Sequence, residues 1–269
     1  MLLENVFMIR GGSFGEDFGA KLIMGLLALI ACIYDWKKNE RMDYLWIYIF
    51  ATVIWAASEL LLQLSGTRVF QEKDFFGIDI THAIYLTVIL QGMSEAALVT
   101  TIGIFFGDRI KNKDTRKRWI VIYLIFLSGF VLLYLRNGIN FASVPEGDLS
   151  IPSRRDMFPL LANIFIAIMC AIAIIWFIKA DSETRKRGLF TYLIMASFIA
   201  WWTLMEWLSG QRWIEVGNLT NGVYSNLSRA DPFVEFLALA YDYMVEVSLI
   251  YIPFIAIPYW LNLIKSNNT

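Results

Sequence analysis

The 269-residue chain has little charge, one histidine and two cysteines, and each shortage excludes a class of protein. Only 17% of its residues are charged, against about 25% in ordinary soluble domains. The net charge of −1 gives no basic surface, so no nucleic acid partner is expected. The single histidine, His82, excludes a site with several histidine ligands, and no cofactor is expected. Cys32 and Cys170 lie in apolar runs, which predicts small core residues and not a disulfide.

Apolar and aromatic residues are in excess. Hydrophobic residues make up 58% of the chain and aromatic residues 16%, and the mean hydropathy is +0.55. A soluble domain could not bury this much apolar surface, so the sequence predicts a multi-pass membrane protein in a cell membrane or endomembrane, surrounded by the lipid bilayer. Seven runs approach the roughly 20 residues that cross the hydrocarbon layer. They are 22–36, 44–64, 80–106, 119–135, 158–178, 189–209 and 232–263.

The distribution of basic residues predicts the orientation of these spans. Most of the 23 Lys and Arg residues lie in the turns after spans one, three and five or at the C-terminus. The positive-inside rule then places the N-terminus outside and the C-terminus in the cytoplasm. The predicted fold is a single all-α membrane domain of seven helices over residues 1–269, with outer loops at 65–79, 136–157 and 210–231.

Short sequence matches relate the two ends of the chain. Span two ends in Leu64-Ser-Gly-Thr-Arg68 and span six ends in Leu208-Ser-Gly-Gln-Arg212. Span three carries Gln91-Gly-Met-Ser-Glu95, and span seven carries Asp242-Tyr-Met-Val-Glu246. These matches predict a parallel three-plus-one-plus-three repeat, although apolar helices also resemble one another by composition alone. The units are repeat one at about 18–110, a linker helix at about 119–136 and repeat two at about 157–264.

Carboxylates lie within the predicted spans, whereas no Lys or Arg lies well inside any of them. The acids are Glu59, Glu95, Glu206, Asp242 and Glu246. An ionised carboxylate at this depth is costly, so the acids are expected to hold protons, to share a proton or a metal ion, or to attract a cationic ligand. The alternative is that they join the helices through hydrogen bonds. If spans three and seven pack together, Gln91, Glu95, Asp242 and Glu246 form one cluster, because residues four apart share a helix face.

Two tryptophans lie deep in span six and complete the predicted site. The faces of Trp201 and Trp202 could hold a cation, because an aromatic ring attracts positive charge. The predicted substrate- or ion-binding set is Glu59, Gln91, Glu95, Trp201, Trp202, Glu206, Asp242 and Glu246. The metal, if one binds, is not identified by these residues.

Two resemblances to known families follow from these features. The three-plus-one-plus-three plan resembles the topology of SWEET-type sugar transporters and of nicotinamide-riboside transporters, which implies transport. The chain also resembles the small seven-helix membrane terpene cyclases, which carry functional acids in spans two and seven. The residues behind this resemblance are Trp55 and Glu59 in span two and Asp242 in span seven. That second resemblance implies that Glu59 protonates an isoprenoid, that Asp242 or Glu246 assists it, and that Trp201 and Trp202 stabilise the carbocation.

The preferred hypothesis is a transporter or channel for protons, a cation or a small cationic solute. The repeated acids favour it, because a cyclase needs only one or two of them. The first alternative is an intramembrane acid-catalysed terpene cyclase or lipid-modifying enzyme, so whether the chain is an enzyme stays open. The second alternative is a seven-helix sensor or receptor. The sequence also leaves a homo-oligomer open.

Overall fold

In the computed structural model the chain forms a bundle of helices with a β-sheet at one end. The structure describes residues 6–9, 17–70, 73–135, 147–149, 154–157, 159–208, 212–220, 223–241, 243 and 249–264. Eight helices lie in these ranges. They are α1 (Phe18–Asn39), α2 (Asp43–Leu64), α3 (Ile84–Lys111), α4 (Arg116–Leu135), α5 (Leu160–Lys179), α6 (Ser182–Leu208), α7 (Pro232–Tyr241) and α8 (Pro253–Trp260).

Five helices within the described ranges are long and apolar enough to cross a membrane: α1, α2, α3, α5 and α6. The predicted spans one, two, three, five and six coincide with them. The fourth predicted span lies in α4, and the seventh contains α7, a 3-10 turn at Leu249–Tyr251 and α8. Seven crossings and the predicted orientation therefore stay predictions.

The start of α1 is set by a polar residue that the hydropathy pattern does not weigh. The Asp17 carboxylate accepts a hydrogen bond from the Ala20 N–H at 2.8 Å and caps α1. The helix therefore begins at Phe18, before the predicted start of span one at residue 22. As a result, Lys21 lies in the first turn of α1 and points its side chain into the bundle, where it is 2% exposed.

A six-stranded antiparallel sheet corrects the prediction of an all-α fold with loops at 65–79, 136–157 and 210–231. The strand order is β2-β6-β1-β7-β8-β5. The strands are β1 (Val6–Ile9), β2 (Arg68–Val69), β5 (Gly147–Leu149), β6 (Arg154–Asp156), β7 (Arg212–Thr220) and β8 (Val223–Arg229), and β3 (Asp74–Phe75) pairs separately with β4 (Ile78–Asp79). One strand precedes α1, and the others follow α2, α4 and α6. These helix ends therefore lie on one side, here called the sheet end; the opposite side is the turn end.

One hairpin of this sheet is indicated by a turn motif in the sequence. Asn221-Gly222 stands between β7 and β8, outside the described residues, and Asn-Gly between two extended runs is typical of a β-hairpin. The remaining strands are two to four residues long and pair segments that are far apart in the chain. No local pattern predicts such pairs. Arg68 and Arg212, from the two Leu-Ser-Gly-x-Arg motifs, are the first residues of β2 and β7.

Glycines allow α3 to pack closely against its neighbours. A Cβ at Gly92 would lie 2.4 Å from the backbone oxygen of Thr52 in α2. At Gly107 a Cβ would lie 3.0 Å from the backbone of Thr191 in α6. Because the atoms in both contacts belong to the backbone of another helix, a larger residue at either position must push two helices apart.

We expect Gly92→Ala to lower the free energy of unfolding by about 1–3 kcal/mol, the usual cost of overpacking. The measurement is an SDS unfolding titration of the purified protein. Gly129→Ala in α4 is the matched control, because within the described residues no atom of another helix or side chain lies within 4 Å of a Cβ at that position. Equal stability of the two variants would contradict the close α2–α3 contact.

Candidate functional site

Acidic and basic side chains meet inside the bundle near the sheet end. Lys21 comes from α1, Glu59 from α2, Arg68 from β2, and Gln91 and Glu95 from α3; we call these five residues the sheet-end cluster. Lys21, Glu59, Arg68 and Gln91 are each at most 5% exposed. Two carboxylates and two cations therefore share one buried site, whose formal charges balance.

Arg68 lies between the two carboxylates. Its Nη1 atom is 2.7 Å from Oε1 of Glu59 and 3.9 Å from Oε2 of Glu95. The short segment after α2 makes this possible, because it turns back into the sheet as β2 and directs Arg68 into the bundle. Backbone pairing of Arg68 with Arg155 of β6 fixes the position of the strand.

Glu95 is held as a hydrogen-bond acceptor on both of its oxygens. The Trp55 indole N–H donates to Oε2 at 3.1 Å, and the Gln91 amide donates to Oε1. The ammonium group of Lys21 donates to the Gln91 carbonyl oxygen in turn. This chain of donors orients the carboxylate of Glu95 and supplies it with partners besides Arg68.

Glu59 is held differently. Its side chain is fully buried, and among the described residues neither carboxylate oxygen accepts a hydrogen bond of ordinary geometry. The 2.7 Å contact with Arg68 is an ion pair whose N–H group is not aligned with the oxygen. Buried carboxylate oxygens are costly without donors, so Glu59 has the capacity to take up a proton or another donor.

A π-helical turn at Met93–Ala97 carries Glu95. Single π turns inside α-helices are frequent at functional sites, because the wider turn changes the direction of a side chain. Gly25 of α1 faces this turn, and a Cβ there would lie 2.7 Å from Cβ of Met93. The turn is therefore packed tightly against α1 while Glu95 points toward Trp55 and Arg68.

Lys73 lies beside the cluster, in the segment between α2 and α3. Its ammonium group donates to Oε1 of Gln63 at 2.8 Å and to Oγ1 of Thr87 at 3.3 Å. Burial lowers the pKa of Lys73, and the negative charge of Glu59 opposes this shift. Lys73 thus adds a second basic residue from outside the spans.

For Glu59 and Glu95, two of the five acids, these contacts correct the expectation that the acids of the spans have no fixed cation. Lys21 lies just before the predicted start of span one, and Arg68 and Lys73 belong to a predicted loop. The fold returns that loop to the bundle. The five residues of the sheet-end cluster therefore carry no excess of negative charge, and a bound cation at these acids stays a prediction. In the described residues, no three His, Cys, Asp or Glu side chains converge as a metal site would require.

The other described residues of the predicted set lie elsewhere. The Trp201 indole N–H donates to the carbonyl oxygen of Leu127 in α4 at 3.2 Å, and Trp202 packs against Phe130 at 5.1 Å between ring centroids. Both tryptophans thus take part in the contact between α4 and α6. Glu206 is half-buried in the last turn of α6. Asp242 and Glu246 lie outside the described residues, so their predicted cluster with Gln91 and Glu95 stays a prediction.

A second ionic site at the turn end was missed by the sequence analysis. Arg187 of α6 donates to both oxygens of Asp108 in α3, at 2.8 and 2.7 Å, and to Asp43 of α2 at 3.1 Å. Arg109 lies 3.0 Å from Asp35 of α1. These five residues, here called the turn-end network, connect α1, α2, α3 and α6. The sequence did contain a signal for this network, because an acid stands next to each of the basic turns. These acids do not enter the prediction of orientation.

The two sites lie at opposite ends of the same helices. Between them, small residues such as Ala28, Cys32 and Ala51 are fully buried. Both cysteines are free, and Cys32 donates its thiol hydrogen to the carbonyl oxygen of Tyr44 at 3.4 Å. We found no match to this chain among known protein families, curated proteins or solved structures, so the topological resemblances stay predictions.

Proposed function

We propose that the chain is a multi-pass membrane transporter that couples the movement of a small solute to protons, and that Glu59 carries the proton. The observation behind this proposal is the state of Glu59. Its carboxylate is fully buried, is paired with Arg68 at 2.7 Å and accepts no aligned hydrogen bond within the described residues. An intramembrane acid of this kind is typical of proton relays in pumps and transporters.

Arg68 supplies a means of coupling. When Glu59 takes up a proton it loses its negative charge, and its attraction for Arg68 falls. Glu95 is then the nearest carboxylate of the cluster, 3.9 Å from Nη1 of Arg68. An exchange of Arg68 from Glu59 to Glu95 would displace β2 relative to α2. Protonation would in this way change the packing of the sheet end.

The turn-end network supports alternating access in the same bundle. Ionic contacts join α1, α2, α3 and α6 at that end, while the sheet-end cluster joins α1, α2 and α3 at the other. A solute can cross only if the two ends open in turn. Each ionic site holds one end closed, and a proton on Glu59 favours opening of the sheet end.

The cyclase alternative is less well supported by the position of Glu59. A catalytic acid must reach the isoprenoid chain that it protonates. The apolar groove beside this region is lined by Trp55 and Ser58 of α2, and Glu59 is not among its described lining residues. Glu95 accepts hydrogen bonds on both oxygens, so it is arranged as an acceptor rather than as an acid.

We expect a pH jump to produce a transient charge displacement in proteoliposomes adsorbed on a solid-supported membrane. The proton itself is the probe, so no solute has to be known. Glu59→Gln should reduce the signal to that of protein-free membranes, because the proton acceptor is removed. Glu183→Gln is the control, since this carboxylate lies at the turn end with its side chain 49% exposed.

An unchanged charge displacement in Glu59→Gln would overturn the proposal and make the carboxylate a structural partner of Arg68. A wild-type protein without any displacement would overturn it as well. Thermal melting of each variant in detergent shows whether a lost signal reflects a lost fold.

A further inference from the structure

A separate feature, not used by the proposed function, is an apolar groove between α2 and α5. It has a volume of about 250 Å³ and passes Trp55 and Leu61 on one side and Ile164 and Ile168 on the other. We call it the α2–α5 groove. Both helices are long and apolar enough to cross a membrane, so the groove lies at a depth where lipid chains would surround the protein.

The groove is open toward its surroundings. Leu61, Ile164 and Ile168 line it and are each at least 50% exposed. A site for a polar solute would be enclosed and would contain several polar groups. An open apolar wall of this kind is suited to a hydrocarbon chain that enters sideways from the bilayer.

One end of the groove carries a cation. Arg155 is the only charged residue among the described lining residues, and it is 9% exposed. It belongs to β6, which precedes α5, and therefore lies at the sheet end of the groove. A guanidinium has five N–H donors, which it can share between protein partners and an incoming oxygen. Its fork geometry matches a phosphate or a carboxylate.

We propose that the α2–α5 groove binds an anionic amphiphile, with the chain between the helices and the phosphate or carboxylate head on Arg155. Basic residues between membrane helices are a known means of holding anionic head groups. The volume is below the roughly 300–1,000 Å³ of pockets that enclose a whole ligand. The groove therefore holds part of one chain, and the rest of the molecule stays in the bilayer.

Arg155 also connects this site to the sheet-end cluster. It lies near enough to Glu59 for a Coulombic interaction, and Trp55 lines the groove while donating to Glu95. An anionic head on Arg155 would bring negative charge toward Glu59. Occupation of the groove is thus expected to change the stability of the cluster, independently of any transport activity.

Native mass spectrometry of the full chain in non-ionic detergent tests the proposal. The probes are dioleoyl phosphatidylglycerol, dioleoyl phosphatidylcholine and oleate. We expect a one-to-one adduct with phosphatidylglycerol or oleate at concentrations where phosphatidylcholine gives none. Whichever anionic probe binds at the lower concentration identifies the source of the head group, a phospholipid or a free acid.

Two variants test separately the contact with the head group and the contact with the hydrocarbon chain. Arg155→Gln should remove the preference for anionic probes, and Arg155→Lys should restore part of it. Ile164→Trp should fill the groove and weaken the adducts of both anionic probes, which keeps the proposal testable if Arg155→Gln fails to fold. Arg118→Gln, an exposed residue at the turn end, is the control. Equal binding of the two phospholipids, or unchanged adducts in both Arg155→Gln and Ile164→Trp, would overturn the proposal.

Discussion

Arg68→Gln is expected to lower the free energy of unfolding by about 3–5 kcal/mol, because it removes the cation that is in direct contact with a buried carboxylate. Glu59 is fully buried and has Arg68 as its partner at 2.7 Å. Glu95 suffers less from the change, since Trp55 and Gln91 continue to donate to it. The measurement is an SDS unfolding titration followed by tryptophan fluorescence.

A double-mutant cycle separates this effect from general damage. In Glu59→Gln/Arg68→Gln both charges are absent, and we expect most of the lost stability to return. Arg118→Gln removes an exposed arginine and should change stability by less than about 0.5 kcal/mol. If the losses of the two single variants simply add in the double variant, the ion pair contributes nothing and the site has another basis.

The membrane-length helices could be predicted because the bilayer fixes the length of an apolar run. Predicted span 44–64 corresponds to Asp43–Leu64, and span 158–178 corresponds to Leu160–Lys179. The sheet could not be predicted in the same way. β2 and β6 are two and three residues long and come from opposite halves of the chain, so their pairing depends on the bundle being formed.

The acids of the site could be identified from the sequence, but their partners could not. Glu59, Gln91 and Glu95 are conspicuous as polar residues in apolar runs. Arg68 follows the end of span two by only a few residues, and nothing in its local pattern indicates that it turns inward. Its position depends on the pairing of β2 with β6, which is a long-range contact.

The turn-end network shows how one use of a sequence signal can conceal another. Basic residues in these turns were used as a signal for orientation, and Arg187 and Arg109 were counted among them. Two of the acids that accompany them, Asp108 and Asp35, lie within one or two turns of a span end. Arginine and aspartate at such positions on adjacent helices can pair where water is scarce, so the same residues also hold the helices together.

Arg187→Gln is therefore expected to destabilise the protein by about 3–5 kcal/mol, as is usual when one partner of a buried ion pair is removed. Arg187 is 5% exposed and binds the carboxylates of both Asp108 and Asp43. Without it the two acids share Arg41, whose Nη2 is 3.3 Å from Asp108 and 4.0 Å from Asp43, and whose 32% exposed side chain is better screened by solvent. The measurement is again SDS unfolding, with thermal melting in detergent as an independent check.

Arg187→Lys shows whether a positive charge alone is sufficient to stabilise the turn end. A lysine keeps the positive charge but cannot donate to both oxygens of Asp108 and to Asp43 in the same plane, so we expect it to recover only part of the stability. Lys186→Gln, one residue away and exposed, is the control for a lost charge at this end. Full recovery in Arg187→Lys would contradict the bidentate geometry, and a loss in Lys186→Gln equal to that in Arg187→Gln would mean that net charge, and not the network, stabilises the turn end.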